Sequence, residues 1–258
     1  MNITTNLFHV PFTLCSRTEI VQEILSRVEE KEKGKEKGLQ IISTPNTEHV
    51  VLAQKGSEFQ KTLALFDWCV PDSAGIVWAS RMLSPQGEKI QERIPGRLLM
   101  LDIVKKLHKK EVLLLGSSLA VLQAAAQKLQ KEYPSCTFTV DPGAKDIVHE
   151  TKEERDHVHF LIRRLQPFAV FVAYGAPWQE RWVVENRQMM GKAGVRIAMV
   201  VGGSFEVLAG MIPEAPLLVQ KLGFEWLWRL LQEPWRWRRQ LALPKFVWMV
   251  VKKKRSKV

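Results

Sequence analysis

Four short segments carry residue types that suit group-transfer chemistry. Asp72, in Val70-Pro71-Asp72-Ser73-Ala74-Gly75, follows a short β-rich run and precedes a helical pattern over Ile76–Met82. A lone carboxylate at such a junction suits a general base that takes the proton of a hydroxyl nucleophile. The same residue would serve equally as a helix cap, bonding amide donors and favouring the helix dipole. Thr44-Pro45-Asn46 stands at a second junction of this kind. Its hydroxyl and amide can hold a sugar or phosphate, although from spacing alone helix capping is the stronger reading. Gln179, in Gly175-Ala176-Pro177-Trp178-Gln179-Glu180, can bond a uracil edge or a sugar hydroxyl, or be an ordinary first-turn residue beside the favourable charge of Glu180. Arg93 can neutralise a phosphate or stand as a surface-loop arginine. Two small-residue turns, Gly116-Ser117-Ser118 and Gly202-Gly203-Ser204, offer backbone N–H groups to a diphosphate. Neither turn fits the dinucleotide or P-loop spacing, and a bare strand-to-helix turn explains each as well.

Other chemistries find little support. No His/Glu/Asp cluster has metal-ligand spacing, so no metal site and no cofactor is expected. His157 and His159 are two apart, fall on different sides of a helix and are expected to face solvent. The three cysteines, Cys15, Cys69 and Cys136, are scattered and odd in number, which fits small core residues in a reducing compartment.

The elements that must position these residues alternate between β-rich runs and helical patterns. Strands are expected at Phe8–Leu14, Leu39–Ser43, Trp68–Pro71, Glu111–Gly116, Thr137–Val140, Phe168–Gly175 and Arg196–Gly202. Helices are expected at Thr18–Lys31, Thr47–Phe66, Arg97–Lys109, Ala120–Tyr133, Lys152–Leu165 and Gln179–Met190. Val112–Leu115 and Ala169–Ala173 are apolar throughout, as strands covered on both faces must be. The alternation implies an α/β, Rossmann-like domain with a largely parallel sheet flanked by helices. Lys31–Gly38 reads as a solvated charged loop. Ligands of such sheets bind beyond the carboxyl ends of the strands, where Thr44-Pro45-Asn46, Asp72, Gln179 and the two glycine turns are placed.

After Gly210 the pattern changes, and a boundary near Met211 divides a unit of residues 1–210 from a helical appendage of residues 211–258. Residues 221–258 hold eleven Lys/Arg against two acids, so nine of the chain's net +11 charges lie there, with five of its nine tryptophans. Basic residues interleaved with indoles suit an anionic, partly apolar surface such as a lipid headgroup layer. Pro234 suits a helix start, and Pro244 reads as a further interruption. A nucleic-acid role for this tail is disfavoured by the near-neutral remainder and by its apolar helical side. The third reading is a core-closing helix, because apolar positions at helical spacing usually pack inward. No stretch approaches the ~20 apolar residues of a spanning helix, and Met1–Val10 lacks the features of a secretory signal.

Taken in order, these segments resemble the WecG/TagA/CpsF family, glycosyltransferase family 26. The matching residues are Thr44-x-Asn46, Pro71-Asp72-x-x-Gly75, Glu92-Arg93-Ile94-x-Gly96, Gly175-x-Pro177-x-Gln179-Glu180, Gly202-Gly203-x-Phe205, Leu208-Ala209-Gly210, and Ala215-Pro216 leading into residues 221–234. The resemblance implies an inverting, metal-independent enzyme. Its members move N-acetylmannosamine or its uronic acid from a UDP-sugar donor to N-acetylglucosamine on undecaprenyl diphosphate, for teichoic acid or another surface polysaccharide. It implies Asp72 as the base, with Thr44 and Asn46 in its pocket. It also implies Arg93 at the diphosphate leaving group, Gln179 on a substrate, and Arg229, Arg236 and Arg239 as diphosphate or lipid contacts. Localisation would be peripheral, on the cytoplasmic face of the cell membrane. Homo-oligomerisation is left open, and a non-enzymatic binding protein that kept the fold is the alternative. Departures from the family pattern are Arg97-Leu98-Leu99, where an acid is usual after Gly96; Trp178, where a basic residue is usual; Pro213-Glu214, where basic residues usually precede Ala-Pro; and Asp141-Pro142-Gly143, where a glycine-aromatic turn is expected.

Overall fold

The computed structural model describes residues 4–32, 38–221, 223–234 and 237–256. Its centre is a six-stranded, wholly parallel sheet of β3 (Gln40–Ser43), β4 (Trp68–Cys69), β5 (Glu111–Leu115), β6 (Thr137–Asp141), β7 (Ala169–Val172) and β8 (Ile197–Val200). The spatial order is β4-β3-β8-β7-β5-β6. β3 and β5 each begin a unit that runs outward to an edge, and β7 and β8 then fill the centre between them. Every residue of the four inner strands is buried except Glu111 at the start of β5. Continuous apolar runs are what a sheet covered on both faces requires.

Helices α1 (Arg17–Glu32), α5 (Gly96–Lys106) and α6 (Leu119–Glu132) supply residues to the core on one face, including Ile24, Ile103 and Leu122. Helices α7 (Lys152–Leu165) and α8 (Trp178–Lys192) cover the other with Val158, Ile162, Trp182 and Val183. Cys69 and Cys136 are buried, and Cys15 is half-buried against the first of these cores. His157 is exposed, as expected. His159 departs from expectation: it is half-buried, 2.5 Å from Asn186 Oδ1 on α8, because α7 packs close enough to cover its ring.

Two elements differ from their sequence expectation for local reasons. The run Phe8–Leu14 is not one strand of the main sheet. It contributes to a separate antiparallel hairpin, β1 (Thr4–Leu7) with β2 (Val10–Thr13), whose turn residues Phe8 and His9 have φ of 54° and 65°. The helix expected over Thr47–Phe66 is split into α2 (Thr47–Ala53) and α3 (Ser57–Ala64), with extended Gly56 between them. Of the expected Lys31–Gly38 loop, residues 33–37 lie outside the described residues.

A third core joins the hairpin, α2, α3 and α4 (Ala74–Leu83) to the last helix, α13 (Ala242–Arg255). Phe246 and Val250 of α13 are buried there, and the Phe246 ring meets Phe8 edge-on at 6.1 Å. Pro244 does not interrupt this helix. It lies in the first turn, where its missing N–H would have had no partner. Between the sheet and α13 the chain forms α9 (Ser204–Leu208), α10 (Leu217–Lys221), α11 (Glu225–Gln232) and α12 (Trp237–Gln240).

Candidate active site

Asp72 leaves the carboxyl end of β4 and is drawn toward its neighbours by the backbone. Its N–H donates to the Pro45 carbonyl at 3.2 Å, and the Ile94 N–H donates to the Pro71 carbonyl at 2.8 Å. These bonds join the loop after β4 to the loop after β3 and to the approach to α5. The Asp72 carboxylate does not cap α4, whose cap position is Ser73. Instead Oδ1 accepts the N–H of Gly96, the first residue of α5, at 3.0 Å. Gly96 must be glycine for this approach, since a Cβ there would lie 2.9 Å from Thr44 Oγ1. Thr44, Asp72 and Gly96 therefore form one tight cluster. Burial pushes the Asp72 carboxyl up to about 6, while the Gly96 N–H and the charges of Arg93, His49 and Arg229 pull the other way. A carboxylate poised near neutrality is suited to accept a proton during a reaction.

Asn46 does act as a cap: its Oδ1 accepts the N–H groups of Glu48 and His49 at 2.9 and 3.2 Å. That leaves its Nδ2 for a ligand. Gln179, expected to bind substrate, is 4% exposed and held internally. Its Oε1 accepts the Gly175 N–H and its Nε2 donates to Glu180, each at 3.1 Å. It faces Gly202, whose absent Cβ would lie 3.9 Å from Gln179 Nε2. Gly116, at the end of β5, lies against the backbone of Ala173 at the end of β7. All of these positions are at the carboxyl edge of the sheet.

The appendage closes over that edge through charged contacts. Arg229 of α11 donates to the Gly203 carbonyl at 3.3 Å and to Glu233 at 2.9 Å. A Cβ on Gly203 would stand 2.2 Å from the Arg229 guanidinium, so glycine lets the cation lie flat on the turn. Glu225, at the start of α11, pairs with Arg93. Arg239 forks onto Glu48 at 2.8 and 2.9 Å, on the first turn of α2 and apart from the Asp72 cluster. Arg236 lies outside the described residues. α11 thus turns its charged side inward, and no residue of its apolar side is buried.

A half-buried carboxylate at the sheet edge, acted on by the charges of two arginines, suits a group-transfer site. The sequence model described as Glycosyl transferase WecG/TagA/CpsF family matches residues 5–258. The chain belongs to this family. An N-acetylglucosaminyldiphosphoundecaprenol N-acetyl-beta-D-mannosaminyltransferase of Bacillus subtilis (strain 168) is 30% identical over 260 residues, covering 98% of this chain and 93% of that protein. A protein of the same name from Staphylococcus aureus (strain MW2) is 33% identical over 217 residues, covering 83% and 81%.

In this member of the WecG/TagA/CpsF family, sequence reasoning overlooked His49, whose charge acts on Asp72, and its neighbour Glu180. His49 is 7% exposed and Glu180 is fully buried, with His49 Nε2 3.5 Å from Glu180 Oε1. From the sequence Glu180 reads as a first-turn helix charge and as part of the Gln179-Glu180 match, and His49 carries no signal of its own. The available signal was Asn46-x-x-His49, a cap residue followed three positions later by a side chain able to reach back to it. Among the described residues no group of three His, Cys, Asp or Glu side chains is arranged to hold a metal ion, and no helix is long and apolar enough to cross a membrane.

Proposed function

We propose that this glycosyltransferase moves N-acetylmannosamine, or a closely related hexosamine or uronic acid, from a UDP-sugar to N-acetylglucosamine on undecaprenyl diphosphate. The reading is supported by the names of the two relatives and by the Asp72 cluster. The observation that carries it is the carboxylate of Asp72 at the sheet edge, with Thr44 beside it and the charges of Arg93 and Arg229 acting on it. In the reaction Asp72 takes the proton of the acceptor hydroxyl, and that oxygen attacks the anomeric carbon from the face opposite UDP. The bond between the sugar and the diphosphate breaks, UDP leaves with the electron pair, and configuration inverts. Arg93, Arg229 and the N–H groups of the Gly116 and Gly202-Gly203 turns offset the charge that develops on the diphosphate. With fixed cations in that role the reaction needs no metal, so chelators are expected to leave the rate unchanged.

The acceptor carries a polyprenyl chain that stays in a bilayer, so the enzyme works at the membrane surface, on the cytoplasmic face where UDP-sugars are found. The outward face of α11 supports this: Trp226, Leu227 and Leu231 are exposed, and Trp237 and Trp248 extend the same apolar and basic appendage. The test is UDP release from UDP-N-acetylmannosamine with a lipid-diphosphate-linked N-acetylglucosamine acceptor. Release that depends on acceptor and is lost in Asp72→Ala is the expected result. Normal turnover in that variant overturns the base assignment, and no release across a panel of UDP-sugars overturns the reaction.

A further inference from the structure

His49 and Glu180 are buried against each other, His49 acts on Asp72, and the chemistry above gives them no part. They link the helix that follows β3 to the helix that follows β7. His49 is on α2, after β3, and touches Asn46; Glu180 is on α8, after β7, and holds Gln179. The proton count on the imidazole follows from its partners. Asn46 Oδ1 is fixed as the oxygen because two helix N–H groups donate to it. His49 Nδ1 lies 2.8 Å from that oxygen, a distance that is attractive only if Nδ1 carries a proton. Nε2 faces the Glu180 carboxylate at 3.5 Å and also needs its proton. One contact asks for the opposite, since the Asn46 N–H points at Nδ1 from 3.3 Å. The shorter contact, together with the carboxylate at the other nitrogen, decides for the imidazolium.

Glu180 supplies the second half of the argument. Its Oε1 accepts from Gln179, and its Oε2 is buried without a hydrogen-bond partner among the described residues. A carboxylate placed so deep calls for a donor or cation nearby, and the His49 imidazole stands beside it. Burial opposes charging of His49, whereas Glu180 on α8, Glu48 on its own helix and Asp72 on the loop after β4 all favour it. Their sum raises the imidazole above its ordinary value. Asp72 is faced in turn by Arg93 from the approach to α5, His49 from α2 and Arg229 from α11.

We propose that His49 and Glu180 form a buried charged pair that positions the Asn46 amide after β3 and the Gln179 amide after β7 and keeps Asp72 ionised for proton abstraction. Both are positioning residues, acting through Asn46, Gln179 and Asp72. The effect on Asp72 rests on its reading as the base; the charge state of the pair does not.

Two measurements on the full-length protein test this. The first follows the imidazole nitrogens of His49 by NMR as pH is varied, with His49→Gln used to assign the signal. The imidazolium is expected to persist to higher pH in the wild type than in an ordinary histidine, and to lose its proton at lower pH in Glu180→Gln. A neutral ring at pH 6, or the same titration in both proteins, overturns the pair. The second is the pH profile of kcat/KM. His49→Gln and Glu180→Gln should each move its acid limb upward by about half to one pH unit, whereas Glu180→Asp, which keeps the charge, should leave it in place. A lower plateau with an unmoved limb would mean a purely structural spacer and would sink the electrostatic role. If Asp72→Ala still turns over, the base reading fails while the NMR result stands. If Glu180→Gln does not fold, His49→Gln alone carries the profile.

Discussion

Arg97 and Glu214 form an ion pair that joins the start of α5 to the beginning of the appendage, with Gln220 of α10 also donating to Glu214. By the family resemblance an acid is expected at Leu98, the residue after Arg97, and a basic residue at Glu214. Arg97→Glu and Glu214→Arg should each lower stability by about 0.5–1 kcal/mol, the range for a partly exposed pair, and the double variant should recover most of that loss. A double-mutant cycle on thermal unfolding measures it, and additive losses would mean that the two charges do not interact.

Read as the base, Asp72 should set the pH dependence of activity as well as that of stability. Its carboxyl is raised to about 6, so the base form is lost as pH falls through that value. kcat/KM should be flat above about pH 7 and fall about tenfold per unit below 6. The sign for stability is the opposite of a paired carboxylate. The fold holds the proton more tightly than the unfolded chain, so stability declines as pH rises through about 6. Asp72→Asn should therefore abolish turnover yet unfold at a higher temperature at pH 8. The gain is on the order of 1–2 kcal/mol after allowing for the solvent that still reaches this side chain, and it should vanish below about pH 4.

Glu225 places a carboxylate on Arg93, the cation assigned to the leaving diphosphate. A bound UDP must take that position from it. Glu225→Gln is expected to bind UDP about two- to five-fold more tightly, because the competing ion is gone and only a partly exposed pair is lost. Arg93→Ala should weaken UDP by at least about tenfold. Calorimetric titration with UDP distinguishes the cases. Weaker binding by Glu225→Gln would make the glutamate a support for Arg93 and not its competitor.

The strands and their edge were legible because burial on both faces writes itself as unbroken apolar runs such as Val112–Leu115, and because strand-end turns concentrate polar and small residues. What escaped depended on geometry across the chain. Gly56 splits a helical pattern whose apolar spacing continues through it. Phe8 and His9, neither a typical turn former, adopt left-handed backbone because the hairpin buries Leu7 and Val10 on either side. Asp72 offered a choice between base and helix cap. The fold gives its carboxylate to the N–H of a helix 24 positions away in sequence, which spacing along one element cannot reveal. His49 was missed because its partner Glu180 lies on a different element, more than half the chain away.

Sequence period also could not say which apolar residues of the appendage face inward, and the structure divides them between two helices. On α13, Phe246 and Val250 are buried under α2 and α4, so this helix closes the third core. On α11, Trp226, Leu227 and Leu231 are exposed while Glu225 and Arg229 face the cleft. Removing everything beyond Met211 would confound the two roles, since lost lipid binding and lost folding would arrive together. Point variants separate them. Phe246→Ala should cost about 3–5 kcal/mol, as for a large aromatic cut from a packed core. Trp237→Ala with Trp248→Ala removes side chains that are 54% and 60% exposed and should leave unfolding within about 0.5 kcal/mol of the wild type. That double variant should nevertheless sediment poorly with anionic vesicles, and the residual binding should be the salt-sensitive part contributed by Lys252–Arg255. Full sedimentation of the double variant at high salt would remove the tryptophans from the membrane contact.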